Sequence, residues 1–114
     1  MFLFRKRTPA TQQSPEVDVR EALRRQAAGA LLLDVREPDE WAAGHADGAR
    51  HIPLGELAAR QRELPREREI LLICRSGRRS AQAVGLLVQA GHPSATNVAG
   101  GMQAWARAGL PTGH

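Results

Sequence analysis

Apolar residues are not spread evenly along this chain; they gather in short unbroken runs separated by amphipathic stretches. Leu31-Leu32-Leu33-Asp34-Val35 and Glu69-Ile70-Leu71-Leu72-Ile73 show no polar alternation, and Ala95-Thr96-Asn97-Val98 reads as a last short strand. Runs of this length without alternation predict strands buried on both faces. Arg50-His51-Ile52-Pro53 predicts a further short strand, because Pro53 disfavours helix at the residue before it. The intervening segments carry helical spacing and helical punctuation. Arg20 to Ala28 places Ala22, Leu23 and Ala27 on one side and stops at Gly29. Glu37-Pro38-Asp39-Glu40-Trp41 has proline in its first turn and acids near its start, and Gly44 ends it. Leu54 to Leu64 has Leu54, Leu57, Ala58 and Leu64 near one face, with Pro65 as the stop. A helix is expected from Ser80, read as its start signal, to about Ala90 with Gly91 beyond it. The last runs from Met102 to Ala108, entered through Gly100-Gly101 and closed by Gly109 and Pro111.

Strands alternating with helices through the whole chain predict an α/β fold. It is a single small domain with a mostly parallel central sheet and helices on both faces. With 114 residues there is room for one core. Residues 16–114 are assigned to that domain. Residues 1–15 are assigned to a flexible N-terminal arm, since Thr8 to Ser14 is polar and aperiodic. Met1-Phe2-Leu3-Phe4 precedes Arg5-Lys6-Arg7, the reverse of a secretory signal, and no run approaches the ~20 residues of a membrane span. A cytoplasmic protein without stable membrane insertion is expected. Nothing in the pattern specifies an oligomeric state.

The formal charge of +4 comes almost wholly from scattered arginines, Lys6 being the single lysine. With no tyrosine, and only Phe2, Phe4, Trp41 and Trp105 as aromatics, the chain lacks a platform for stacking bases. Nucleic acid is therefore not an expected partner, whereas small anions are. Four histidines and one cysteine show no zinc spacing, so no metal site is expected.

That one cysteine stands where a buried strand meets a helix, in Cys74-Arg75-Ser76-Gly77-Arg78-Arg79-Ser80. In parallel sheets ligands bind at the carboxyl ends of strands, which is where this loop falls. Helix N-termini and nearby arginines lower a thiol's pKa, and successive loop amides with a glycine among them make an anion-binding concavity. The alternative is an inert buried cysteine, but inert cysteines sit in apolar rather than electropositive surroundings. A single cysteine excludes an intrachain disulfide and any resolving partner in the chain, so an adduct on Cys74 must discharge to another molecule. Loop length separates two chemistries. A phosphatase loop needs an arginine six positions after the cysteine, and that position is Ser80; Arg79 is one residue early. The shorter loop suits a smaller adduct, such as one sulfur atom.

These residues resemble the rhodanese homology domain of single-domain thiosulfate sulfurtransferases, over about residues 16 to 112. Cys74 to Ser80 is similar to the family's active-site loop, and Leu33-Asp34-Val35-Arg36-Glu37 to its strand-end DVRE. Trp41, Gly44-His45, Gly48-Ala49 and Ile52-Pro53 follow its next element. Asn97 to Trp105 is similar to its closing NVxGGxxAW, and Gly109-Leu110-Pro111 to its usual end. Two places depart from the pattern: Ala46-Asp47 where isoleucine and proline are usual, and His51 where asparagine is frequent. The resemblance implies that the Cys74 thiolate takes sulfane sulfur from an anionic donor such as thiosulfate as a persulfide. A thiol, cyanide or a protein acceptor then receives it, and no metal or organic cofactor is needed. It implies amides of residues 75 to 79 around the persulfide and attraction of the donor by Arg75, Arg78 or Arg79. Ser76, Gly77 and Ser80 complete the substrate-binding loop. A sulfur-carrier or partner-docking domain loaded by another protein shares the same loop chemistry. Phosphatase or arsenate reductase activity is the disfavoured alternative.

The remaining candidates support the loop. Asp34 and Arg36 read as a buried ion pair or loop-fixing hydrogen bonds, or else as substrate contacts at the border of the site. His45 reads as an orienting residue or a general acid-base. Arg79 is open to pairing with Asp34 or Glu40, which would leave Arg75 and Arg78 as the exposed pair. Trp41 and Trp105 read as core residues, and His92 and His114 as surface residues.

Overall fold

The computed structural model of the protein describes residues 15–114; the expected arm lies outside the described residues except for Pro15. In chain order the elements are β1 (Glu16–Val17), α1 (Val19–Ala27), β2 (Leu31–Asp34), α2 (Pro38–Ala42), β3 (His45–Ala46), β4 (Arg50–His51) and α3 (Leu54–Arg60). A 3-10 turn (Gln61–Glu63) follows, and then β5 (Ile70–Ile73), α4 (Arg78–Gln89), β6 (Ala95–Val98), α5 (Gly101–Arg107) and β7 (Thr112–Gly113). Five strands form one sheet in the order β1-β6-β5-β2-β4, with every neighbouring pair parallel. The expected α/β architecture is therefore the one observed. β5, the strand that leads into the cysteine loop, is flanked by β6, the next strand in the chain, and by β2.

Period-two alternation divides each apolar run between two cores. Leu31, Leu33, Ile70, Leu72 and Cys74 face one side, where Leu57 of α3 and Ala83, Val84 and Leu87 of α4 cover them. Leu32, Leu71 and Ile73 face the other, beneath Val19 and Ala22 of α1 and Trp105 of α5. The unbroken hydrophobicity of β2 and β5 follows from this double cover.

Local chemistry sets the helix starts. Asp18 caps α1 by accepting a hydrogen bond from the Glu21 amide at 2.8 Å. Pro38 begins α2, where Glu37 and Glu40 form a reciprocal capping box. α4 begins at Arg78, two residues before the Ser80 start signal, because Gly77 in the left-handed region (φ 107°) turns the chain into the helix. Ser80 thus lies inside the first turn with its hydroxyl aimed elsewhere.

Several other expectations need correction. The helix from Leu54 ends at Arg60 and continues only as the 3-10 turn. Ala27 is exposed rather than on the buried face of α1. Trp105 is fully buried and donates its indole N–H to the Pro111 carbonyl at 2.9 Å, but Trp41 is only half-buried. His92 is a core residue, 1% exposed, with Nε2 2.9 Å from Gln61 Oε1, whereas His114 is exposed. β3 and β7 pair antiparallel, His45 with Gly113 and Ala46 with Thr112, and so tie residues 112–113 to the segment after α2.

Asp34 and Arg36 form a buried pair at the carboxyl end of β2. Arg36 Nε donates to both Asp34 oxygens at 3.0 Å and Nη2 donates at 2.8 Å to Asp34 Oδ2 and to the Gly44 carbonyl. Removing the carboxylate leaves a buried guanidinium without its counter-charge. Asp34→Ala is expected to lose about 3–5 kcal/mol of stability in urea denaturation, and Asp34→Ala/Arg36→Leu to recover part of that loss.

Candidate active site

β5 delivers Cys74 to the carboxyl edge of the sheet, and α4 leaves from the same loop. Only 1% of Cys74 is exposed. The loop turns its amides inward: Gly77 N–H donates to Cys74 Sγ at 3.1 Å, and the Ser80 hydroxyl lies 3.3 Å from the same sulfur. Burial alone would push the thiol's pKa up. Hydrogen bonding from the Ser80 hydroxyl and from the amides of Ser80, Gly77 and Ser76 outweighs that effect, and the net shift is downward. These neutral donors lead the lowering, and the charge of Arg79, which interacts favourably with the Cys74 thiolate, adds to it.

Amides that point inward leave carbonyls pointing outward, and these need donors of their own. α5 supplies them. Met102 N–H donates to the Cys74 carbonyl at 2.7 Å and Gln103 N–H to the Arg75 carbonyl at 3.0 Å. Both amides belong to the first turn of α5, where no intrahelical acceptor exists for them. The Gly100-Gly101 turn makes this approach possible. A Cβ on Gly101, whose φ is 55°, would press on the Cys74 carbonyl oxygen and lie 2.6 Å from the Arg75 carbonyl group.

The three arginines separate as the loop leaves the sheet. Arg75 and Arg78 are exposed, as is Ser76. Arg79 is half-buried and makes a two-point pair with Glu40 of α2, Nη1 to Oε1 at 2.7 Å and Nη2 to Oε2 at 2.9 Å. Arg79 is the leading cause that holds the Glu40 carboxyl at about 2, against an ordinary 4.5, with the Glu37 amide adding to it. Glu40 therefore fastens the loop's helix to α2.

His45 and His51 lie on the α2 side of the site. Their imidazoles stack on Trp41 with centroids 3.5 and 4.8 Å away. His45 Nδ1 donates to the Trp41 carbonyl at 2.9 Å and His51 Nε2 to the Arg36 carbonyl at 2.7 Å. The polar contacts of Asp34, Arg36 and His45 are thus with the strand-end loops, not with the Cys74 loop. Sequence reasoning missed Asn97 and Glu16. Asn97 is 1% exposed; it accepts from the Ser80 hydroxyl at 2.6 Å and donates to the Gly77 carbonyl at 3.2 Å and to Glu16 Oε2 at 3.1 Å. A polar residue inside a buried strand was the available signal, because such a group requires partners.

Among the described residues, no three His, Cys, Asp or Glu side chains are grouped as metal ligands would be. A cleft of about 380 Å³ lined by Arg25, Ala28, Gly29, Ala30 and Glu69 lies at the amino ends of β2 and β5, at the opposite edge of the sheet from Cys74.

The sequence profile of the rhodanese-like domain matches residues 17–108. A protein from Allochromatium vinosum named sulfurtransferase is 43% identical over 81 residues, covering 71% of this chain and 76% of its own length. A putative sulfur carrier protein of Bacillus subtilis is 45% identical over 74 residues, covering 65% of this chain but only 40% of that relative. Among solved structures, a rhodanese-related protein from Thermoplasma volcanium superposes with a TM-score of 0.80 at 33% identity, over 87% of this chain and 97% of the other. A human single-domain sulfurtransferase gives 0.75 at 31% identity, over 83% and 97%.

Two outcomes follow from the geometry. Gly101→Ala is expected to destabilise the fold by about 1–3 kcal/mol in urea denaturation and, by moving the loop amides off the sulfur, to raise the apparent pKa of the Cys74 thiol read from the pH dependence of iodoacetamide alkylation. The Glu40 carboxylate contributes stability above its ordinary value of 4.5, and the contribution is lost as pH falls through about 2. The stability gap between wild type and Glu40→Gln, measured by urea denaturation, is therefore expected to be full at pH 6 and to close between pH 4.5 and 2.

Proposed function

Because this chain belongs to the rhodanese-like domain family, we propose that it moves sulfane sulfur from an anionic donor such as thiosulfate to a thiophilic acceptor through a persulfide on Cys74. The observation that carries this reading is the short amide-lined loop around a buried sulfur whose pKa is lowered. The Cys74 thiolate attacks the outer sulfur of the donor. A new S–S bond forms, the donor's S–S bond breaks, and its electron pair leaves with sulfite. The persulfide's negative charge then rests on the terminal sulfur, within reach of the loop amides. Cyanide or a thiolate attacks that terminal sulfur, takes it away, and returns Cys74 as the thiolate. Arg75 and Arg78, exposed beside the loop, attract the donor, while Arg79 is engaged by Glu40. No other cysteine is present, so the sulfur passes directly to another molecule.

The name of the Bacillus subtilis relative favours a second reading, in which a protein donor loads Cys74 and a protein acceptor unloads it. The two readings share every residue and differ in turnover. Both are consistent with the expected cytoplasmic setting, and no described helix is long and apolar enough to cross a membrane.

Steady-state thiocyanate formation from thiosulfate and cyanide tests the proposal. Parallel double-reciprocal lines are expected, with no product from Cys74→Ala. Activity retained in Cys74→Ala would refute it. A wild-type rate near background, together with rapid loading from a persulfidated protein, would select the carrier reading.

A further inference from the structure

The Ser80 hydroxyl has one hydrogen and two neighbours that compete for it. Asn97 Oδ1 is 2.6 Å away and Cys74 Sγ is 3.3 Å away. The orientation of the Asn97 amide is not free, because its other end faces the Gly77 carbonyl and the Glu16 carboxylate, at 3.2 and 3.1 Å. Both of those groups only accept, so the NH₂ must face them and the oxygen must face Ser80. Turning the amide over would set an oxygen against two oxygens. With Oδ1 fixed as an acceptor, the 2.6 Å contact requires that Ser80 donate to Asn97 while Cys74 is a neutral thiol. In that state the hydroxyl oxygen offers the sulfur a lone pair, and the thiol S–H can donate to it.

We propose that Asn97 is a positioning residue that makes the Ser80 hydroxyl a two-way switch matched to the charge on Cys74. With the thiol present, hydrogen bonds run from S–H to Ser80 Oγ and from Ser80 O–H to Asn97 Oδ1, and all three side chains are satisfied. When the thiol loses its proton to a solvent base, Ser80 rotates its hydrogen to the anionic sulfur, and Asn97 Oδ1 is left without a donor. Asn97 therefore favours the thiol and restrains the thiolate. Ser80 and the loop amides act in the other direction. Its anchors on Gly77 and Glu16 also connect β1 and β6 to the loop, so the restraint is built from elements far apart in sequence.

The inference rests on Cys74 being the reacting group, and its test needs no sulfur donor; its failure would leave the sulfur-transfer reading standing. The charged groups on the elements packed around the loop are Arg75 in the loop itself, Arg78 and Arg79 on α4, and Glu40 on α2. The Asp34–Arg36 pair at the end of β2, Glu37, His45 and His51 on the α2 side, and Glu16 on β1 behind Asn97 belong to the same surroundings. α5 brings amides and no acid or base in its first turn. All of these groups are retained in the variants below.

The pH dependence of iodoacetamide alkylation gives the apparent thiol pKa of each protein. Ser80→Ala is expected to raise it, and Asn97→Ala to lower it by about half a unit, or about threefold more thiolate at a pH below the midpoint. The double variant is expected to match Ser80→Ala, since Asn97 acts through Ser80. A residue that merely supports the loop would give the opposite sign, because a loosened loop loses its amides from the sulfur. An unchanged or raised value in Asn97→Ala, or a double variant shifted below Ser80→Ala, would overturn the proposal. If Asn97→Ala does not fold, the wild-type protein decides the matter. The side-chain amide ¹⁵N resonance of Asn97 is expected to titrate with the Cys74 midpoint and to lose that step in Cys74→Ala. A resonance that stays flat through the Cys74 titration would overturn the proposal as well.

Discussion

The site depends on where a loop of peptide groups can send its two kinds of polar atom. To surround one sulfur with N–H donors, the Cys74 loop must turn carbonyls away from it, and a buried carbonyl without a partner is costly. The first turn of α5 has the complementary problem, since its leading amides have no acceptors within the helix. The contacts from Met102 to Cys74 and from Gln103 to Arg75 solve both at once. Their closeness explains why position 101 holds a glycine: a side-chain carbon there would occupy the space of the carbonyls being bonded. A motif about 25 residues downstream of the cysteine, as counted along the chain, is in this sense the outer wall of its loop.

The remaining architecture brings these parts to one edge. Parallel strands β2, β5 and β6 end together, so their following segments all converge on the same side of the sheet. Alternation along β5 points Cys74 toward the core covered by α4, where burial opposes ionisation of the thiol. The loop amides and Ser80 then tip the balance back toward the thiolate. The Cys74 sulfur is thus held between a desolvating core and a set of aligned dipoles, with no charged side chain among the described residues hydrogen-bonded to it. The guanidinium nearest in sequence to Ser80, that of Arg79, is tied to Glu40, and the loop's other two positive charges are exposed on Arg75 and Arg78.

What was legible in the chain followed from strong periodic signals. β2 and β5 are unbroken apolar runs, and the order of strands and helices along the chain implies the parallel sheet in which β2, β5 and β6 are buried along their whole length. β1, β3 and β7 have two residues each, too few to show a period, and exist because a neighbouring edge accepts them. Ser80 looked like a helix cap because serine so often is one; the left-handed Gly77 took that place and freed the hydroxyl for the sulfur and Asn97. His92 follows a glycine and precedes a proline, a setting that reads as a surface turn, yet the turn folds inward against Gln61. Trp41 reads as a core residue of its short helix, whereas it is half-buried and the rings of His45, four residues on, and His51 stack on it. Asn97 was visible only as a letter in a motif, since its role depends on three partners, two in the Cys74 loop and one on β1.

The central claim is that Cys74 carries sulfur covalently in this loop. Intact mass spectrometry of the protein after incubation with thiosulfate and removal of small molecules tests it most directly. The account predicts a single added sulfur atom, lost on brief exposure to cyanide and absent from Cys74→Ala. An unmodified mass with both thiosulfate and a persulfide donor, or the same added mass in Cys74→Ala, would contradict it.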